Sequence, residues 1–222
     1  IIYMLNVKND QLVIDSKGIY SIEKFLISRR LMYWQVYMHK TVISAEFLLM
    51  QILKRANFLA SQNIQLTASP PLKRFIYNNY TIEHFKNQPE LLSLFAELDD
   101  YDIFSAIKSW KNQTDKVLSI LCDCLINRKL MKVEIQNSKP DENIINNYKM
   151  IAANSLKIDI EDSNYFVHCG EISNNTYDPS LGQILILYKN QETKDIALAS
   201  DNLNIKMLSS IVKKHFIYYY KA

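Results

Sequence analysis

Arg29, Tyr33, Tyr37, His39 and Lys40 are the residues of this chain whose types and spacing could do chemistry together. On a helix, Arg29, Tyr33, Val36, Tyr37 and Lys40 fall on one stripe, with Ser44 following them. Two cations and two phenols then point the same way. Arg with Lys is the pair that polyphosphate binding asks of a protein, and phenol rings offer flat surfaces beside it. The same pattern also fits an ordinary helix whose cations pair with carboxylates.

The other reactive residues are less organised. His39, His84, His168 and His215 include no His-Glu-x-x-His and no His-Asp dipeptide, so a self-contained hydrolytic metal centre is hard to assemble. His168 lies in a strand-like apolar run and reads as half-buried. His84 and His215 read as residues of surface helices. Asp99-Asp100-Tyr101-Asp102 stands at a predicted helix start, where carboxylates cap orphan N–H groups. Cys122, Cys124 and Cys169 read as free thiols of a reducing compartment, without the further ligands that zinc would need. No serine has a His/Asp arrangement that the sequence connects to it.

The elements that must position these residues follow from the periodicity. Residues 1–20 alternate short apolar runs with turn formers and predict a strand or two. Ser21 is the expected N-cap of a helix running to about Ala60, with no Gly or Pro to interrupt it. Phe25, Leu26, Leu31, Met32, Trp34 and Met38 cover much of its remaining circumference, which predicts burial on more than one side. Ser69-Pro70-Pro71 is expected to close that element. Shorter helices follow around 72–78, 81–98 with a restart at Pro89, 100–110 and 114–128. From Leu130 the pattern changes: strands at 130–135, 165–168 and 183–188, a hairpin turn at 190–193, a helix over 141–156, another over 203–215, and a closing strand at 216–220. The fold class is mainly α with a small α+β C-terminal subdomain, a long central helix being packed by shorter ones. The expected parts are 1–129, helical, and 130–222, α+β.

Composition limits the classes further. With 26 Lys+Arg against 23 Asp+Glu, the formal charge of +3 does not indicate a nucleic-acid binder. The 3 Gly exclude Gly-rich phosphate loops. No run approaches the roughly 20 apolar residues of a membrane span, so a soluble, cytoplasmic protein without membrane contact is expected. The 14 Tyr near Lys leave single-stranded nucleic-acid binding as a minor reading. The first residue, Ile1, predicts a chain that starts inside a longer protein.

Ser28-Arg29-Arg30-Leu31-Met32-Tyr33-Trp34-Gln35-Val36-Tyr37-Met38-His39-Lys40 resembles the helix after the catalytic core in HD-superfamily deoxynucleoside triphosphate triphosphohydrolases, a group that includes the vertebrate SAM- and HD-domain enzyme. Leu98–Ile103, Asn127-Arg128-Lys129-Leu130 and Gly170-Glu171-Ile172-Ser173 are similar to the C-terminal part of bacterial HD phosphohydrolases. The resemblance implies that Arg29 contacts a triphosphate and that Tyr37 lines a deoxyribose and base pocket, with Tyr33 on the same face. It places His39 and Lys40 beside that pocket or at a nucleotide site between subunits. Met38 stands where the vertebrate enzyme has Gln, and Tyr33-Trp34 where it has His and Arg. The family's metal ligands precede this helix, and nothing here resembles them. The resemblance therefore implies no catalytic residue and no metal ligand in these residues, and a divalent metal (Mn, Mg, Fe or Zn) in an upstream HD domain of the same protein. It also implies a deoxynucleotide ligand and a homo-oligomer. An oligomerisation or regulatory nucleotide-binding module without catalysis is the alternative.

Overall fold

The computed structural model describes residues 1–174, 177–201 and 212–221. Most of them are helical, and small sheets gather the strands. The chain divides into two compact units, the first from residues 1–39, 136–138 and 171–215, the second from 40–135, 139–170 and 216–222. Neither unit begins or ends at residue 130.

In the first unit, β1 (Leu5–Lys8) and β2 (Gln11–Asp15) form a hairpin in which Lys8 faces Gln11. Its two turn residues, Asn9 and Asp10, both have left-handed backbone, φ 51° and 57°. That is what a two-residue turn matched to strand twist requires. β2 pairs in parallel with β5 (Leu185–Leu187), and β5 pairs antiparallel with β6 (Thr193–Asp195), so the order is β1-β2-β5-β6. The expected hairpin turn at 190–193 joins β5 to β6.

Helix α1 (Ile19–Met32) packs Ile22 and Leu26 into a core with Ile14, Tyr177, Ile186 and Ile196 of the same unit. It starts two residues before Ser21, directly after a 3-10 turn at Ser16–Gly18. Gly18 fits there because a Cβ would lie 2.7 Å from Ile14 Cγ2. The helix ends far short of Ala60. Residues Tyr33–Tyr37 form a π turn, closed by Met38 N–H donating to the Tyr33 carbonyl at 2.8 Å, and Met38 leaves helical geometry at φ −100°, ψ 20°. The extra residue of a π turn needs neither Gly nor Pro, which is why periodicity alone carried the helix through. Burial on several sides is also corrected: Phe25, Leu31 and Met32 are 52%, 50% and 41% exposed.

The second unit holds the long central helix, α2 (Lys40–Ser61), whose Leu48, Ile52 and Ala56 are fully buried. Around it stand α3 (Pro70–Ile76), α4 (Ile82–Asn87), α5 (Pro89–Ala96), α6 (Asp100–Trp110) and α7 (Lys116–Ile126). α2 packs on α7 and α3, and α6 on α7. α2 stops because Asn63 turns left-handed, φ 60°, so that Ile64 N–H reaches the Leu59 carbonyl and Asn63 N–H that of Ala60. The prolines therefore open the next helix instead of closing this one: Ser69 caps α3 and Pro70 is its first residue. Arg128 and Lys157 end α7 and α8 (Glu142–Leu156) with the same left-handed step. In a chain with 3 Gly, longer side chains occupy these positions.

Segments of β3 (Lys132–Gln136), β7 (Val212–Tyr219) and β4 (Val167–Asn174) form a sheet in that order. The helix expected over 203–215 lies mostly outside the described residues, and its end, 212–215, is strand, which puts His215 in β7. The 165–168 strand starts later than expected, after a 3-10 turn at Asp162–Tyr165.

One guanidinium organises this unit. Arg55 of α2, 8% exposed, makes two bonds to Asp115, 3.1 and 2.7 Å, and one of 2.7 Å to Asp162. Burial opposes its charge, but the bonds to Asp115 and Tyr165 and the charge of Asp162 hold it more basic than usual. Arg55→Ala would leave both carboxylates unpaired and is expected to destabilise the protein by about 3 kcal/mol, read as a lower urea midpoint.

His168 is half-buried and stacks on Phe47, ring centres 5.1 Å apart. Burial, helped by the charge of Lys54, holds its imidazole below the ordinary 6.5. The folded protein therefore binds fewer protons than the unfolded chain in that range, so His168 contributes stability above the ordinary value that is lost as pH falls through the folded one. The drop in urea midpoint between pH 7.5 and 5.5 is expected to shrink in His168→Phe.

Candidate functional site

The first unit carries a groove of about 400 Å³ along α1, with Phe25 and Arg29 on one wall and Tyr177, Asp178, Leu181 and Ile184 on the other. Arg29 is half-buried; its Nη2 donates to the Tyr33 hydroxyl at 3.1 Å, and its guanidinium carbon lies 4.9 Å from the centre of that ring. The i, i+4 spacing from the last turn of α1 into the π turn brings them together. Tyr37 follows one turn later, its ring centre 5.1 Å from that of Tyr33. Among the described residues, no carboxylate lies within ion-pairing distance of Arg29. Of the two readings open for this cation, pairing with a carboxylate is the one these residues do not supply.

The opposite wall is fixed. Tyr177 donates its hydroxyl proton to the Asp195 carboxylate, accepts from Ile184 N–H at 3.0 Å, and is pushed up to about 12 by burial and by Asp195. It stays protonated at neutral pH. Asp178 accepts from Ser180 N–H at 2.9 Å and from its hydroxyl at 2.6 Å. The groove thus offers a cation braced against an aromatic ring beside apolar side chains. It can bind an anion that carries an apolar or ring portion.

The five residues singled out from sequence do not remain one stripe. Arg29, Tyr33 and Tyr37 belong to the first unit, and His39 is exposed at its edge, with its N–H 3.3 Å from the Val36 carbonyl. Lys40 opens α2 in the second unit. There its charge adds to Lys132 and Tyr219, the larger influences, in holding Glu134 below the usual carboxylate range. The helix break, invisible in periodicity, separates them. Tyr177, Asp178 and Ile184 were missed: they enter through the sheet, from a part of the chain with no local signal linking it to α1.

Elsewhere the reactive residues have structural work. Asp99 accepts from Tyr101 and Asp102 N–H while Asp102 accepts from Asp99 N–H, a reciprocal cap for α6. Hydrogen bonds from Ser69 and from the Asp99 backbone hold Asp102 below the usual range. His84 is a cap too, its Nδ1 accepting from Thr81 N–H at 3.0 Å. Burial raises the thiols of Cys122, to about 12, and Cys124, to about 11, in the apolar face of α7. Among the described residues, no three His, Cys, Asp or Glu side chains are grouped to hold a metal ion. No helix of the described residues is long and apolar enough to cross a membrane.

Residues 1–66, which include β1, β2, α1 and the groove's Arg29, match the family described as HD associated region. The chain is similar over its whole length to a phosphohydrolase of Bacteroides thetaiotaomicron, at 48% identity and a TM-score of 0.92, and covers 55% of that chain. It is 33% identical to the protein YwfO of Bacillus subtilis over 132 residues, which are 60% of this chain and 28% of YwfO. A hypothetical protein of Aquifex aeolicus, 20% identical with a TM-score of 0.55, shares the fold alone. The chain thus spans about half the length of the phosphohydrolase, and its match to YwfO covers less than a third of that protein. An HD-associated region in the first 66 residues and a whole-length likeness to a phosphohydrolase relate this chain to the HD-superfamily phosphohydrolases.

Proposed function

We propose that this chain is the substrate-clamping part of an HD-type phosphohydrolase acting on deoxynucleoside triphosphates. What supports the reading is Arg29: a cation on a groove wall, with no carboxylate partner among the described residues and an orientation fixed by Tyr33. One nitrogen of its fork engages the Tyr33 hydroxyl, and the rest are available to phosphate oxygens. Because the guanidinium rests on the Tyr33 ring, less side-chain freedom is lost on binding. Phe25, Leu181 and Ile184 would shelter the sugar or base from water, and Tyr37 extends the aromatic surface.

The hydrolytic step is not assigned to these residues. The described side chains do not fit a divalent metal, and Tyr177, the phenol on the groove, is committed to Asp195. In the proposal, the divalent metal and its ligands are supplied by an HD domain upstream in the same protein, and the groove binds and orients.

The test is release of phosphate or triphosphate from the four deoxynucleoside triphosphates with Mg²⁺ or Mn²⁺, comparing the 222-residue chain with a form extended upstream in its gene. Only the longer form is expected to turn over, and Arg29→Ala in it should lower kcat/KM by about 100-fold or more. Turnover by the shorter chain, or unchanged kinetics in the variant, would remove Arg29 and its groove from this role.

A second reading, an assembly module, is favoured by the apolar surface of α1 and the π turn, where Tyr20, Phe25, Leu31, Val36 and Tyr37 are each at least half exposed. It predicts a stable homo-oligomer without nucleotide in sedimentation velocity. A monomer over a roughly 100-fold concentration range would dispose of it.

A further inference from the structure

The geometry points to a second anion site in the first unit, in the lysine-ringed pocket at the end of the four-stranded sheet, taking a phosphorylated small molecule. The pocket, about 270 Å³, forms where three chain segments meet: Asn6 of β1, residues 15–17 at the end of β2, and residues 187–191 between β5 and β6. It shares no residue with the Arg29 groove, and its assignment does not rest on the proposed function.

Two ammonium groups line it and two more touch its lining residues. Lys17 and Lys189 line it directly. Lys8 donates to the carbonyl of Gln191, itself a lining residue, which holds that side chain across the turn. The Lys194 ammonium lies 5.6 Å from the ring centre of Tyr188, another lining residue. Against these stand the carboxylates of Asp15 in the wall and Glu192 in the turn. Among the described residues, none of the four lysines forms an ion pair. Neutral donors complete the lining. The Asn6 oxygen already accepts from Val7 N–H at 2.8 Å, which leaves its NH₂ group to donate, and Ser16 adds a hydroxyl.

An excess of positive over negative charge raises the local concentration of anions. Lysines act as point charges that suit phosphate oxygens without fixing one geometry, and the amide and hydroxyl donors supply direction. The volume admits a polyphosphate, a phosphosugar or a mononucleotide, and the Tyr188 ring gives a nucleoside something flat to rest on. The lysines outnumber the carboxylates of Asp15 and Glu192, and attraction to that excess grows with the ligand's own charge, so a ligand of two or more phosphates is the best match.

The test titrates inorganic tripolyphosphate into the whole chain carrying Arg29→Ala, so that the groove cannot imitate the pocket. Calorimetry should show binding at about 50 mM salt that weakens at 200 mM, as screening requires. Lys17→Gln with Lys189→Gln should weaken it at least tenfold with an unchanged thermal melt, and Lys17→Arg with Lys189→Arg should restore it. Should the Gln pair fail to fold, amide NMR decides: tripolyphosphate must shift the side-chain NH₂ signals of Asn6 and Gln191. Adenosine diphosphate run in parallel separates the sources. Equal binding means that the phosphates alone are read, and tighter binding that Tyr188→Leu abolishes means a nucleotide. No binding of either probe, binding indifferent to the Gln pair, or shifts confined to other residues would overturn the site.

Discussion

The Arg55 guanidinium is the point on which the second unit turns. It projects from α2 to Asp115, which also accepts from Leu118 N–H at 2.7 Å and so caps α7, and to Asp162 in the turn before β4. Three segments far apart in sequence thus meet on one planar fork, flanked by the rings of Phe58 and Tyr165 at 5.2 and 5.1 Å. A buried ion pair contributes little net stability over a well-packed apolar cluster. Its value is registry: the fork donates to both carboxylates only when α2, α7 and the turn stand in one arrangement, and Leu48, Ile52, Leu118 and Leu121 of α2 and α7 are fully buried in the same unit.

Arg29 is the opposite use of the same side chain. It too sits on a helix and leans on a ring, but no carboxylate meets it among the described residues, and the space before it is open groove. In one case the charge is consumed inside the fold; in the other it borders a groove. The long-range wall formed by Tyr177 and Ile184 is what turns a charged helix into a pocket.

Much of the fold was legible because it rests on local chemistry. The α6 cap at Asp99, the α8 start after Asp141 and the β5–β6 turn come from side chains bonding within a few residues, and the restart at Pro89 from proline's fit to the first helical position. What was misread depends on contacts or geometry that a local pattern does not carry. The π turn at 33–37 keeps helical hydrophobicity while adding a residue, and the left-handed steps at Asn63, Arg128 and Lys157 lack the glycine that would announce them. Pro70-Pro71 reads as an end in sequence because proline both follows and begins helices, and only the Ser69 cap decides. For the site, Arg29, Tyr33 and Tyr37 could be chosen by type and spacing. Their partners across the groove could not, since the parallel pairing of β2 with β5 is what brings residues 177–184 to α1.

That parallel pairing also sets an order of events during synthesis. The first unit needs residues near both ends of the chain, because Val13 finds Leu185 only after nearly all the intervening chain exists. The second unit has a contiguous block, 40–135, that already contains α2 and α7. On a ribosome, helices of that block can meet while the β1–β2 hairpin and α1 still wait for their sheet. The Ile22 and Leu26 side of α1 then waits for Ile186 and Ile196, and the Lys and Arg residues interspersed along the helix oppose association of that segment with others like it.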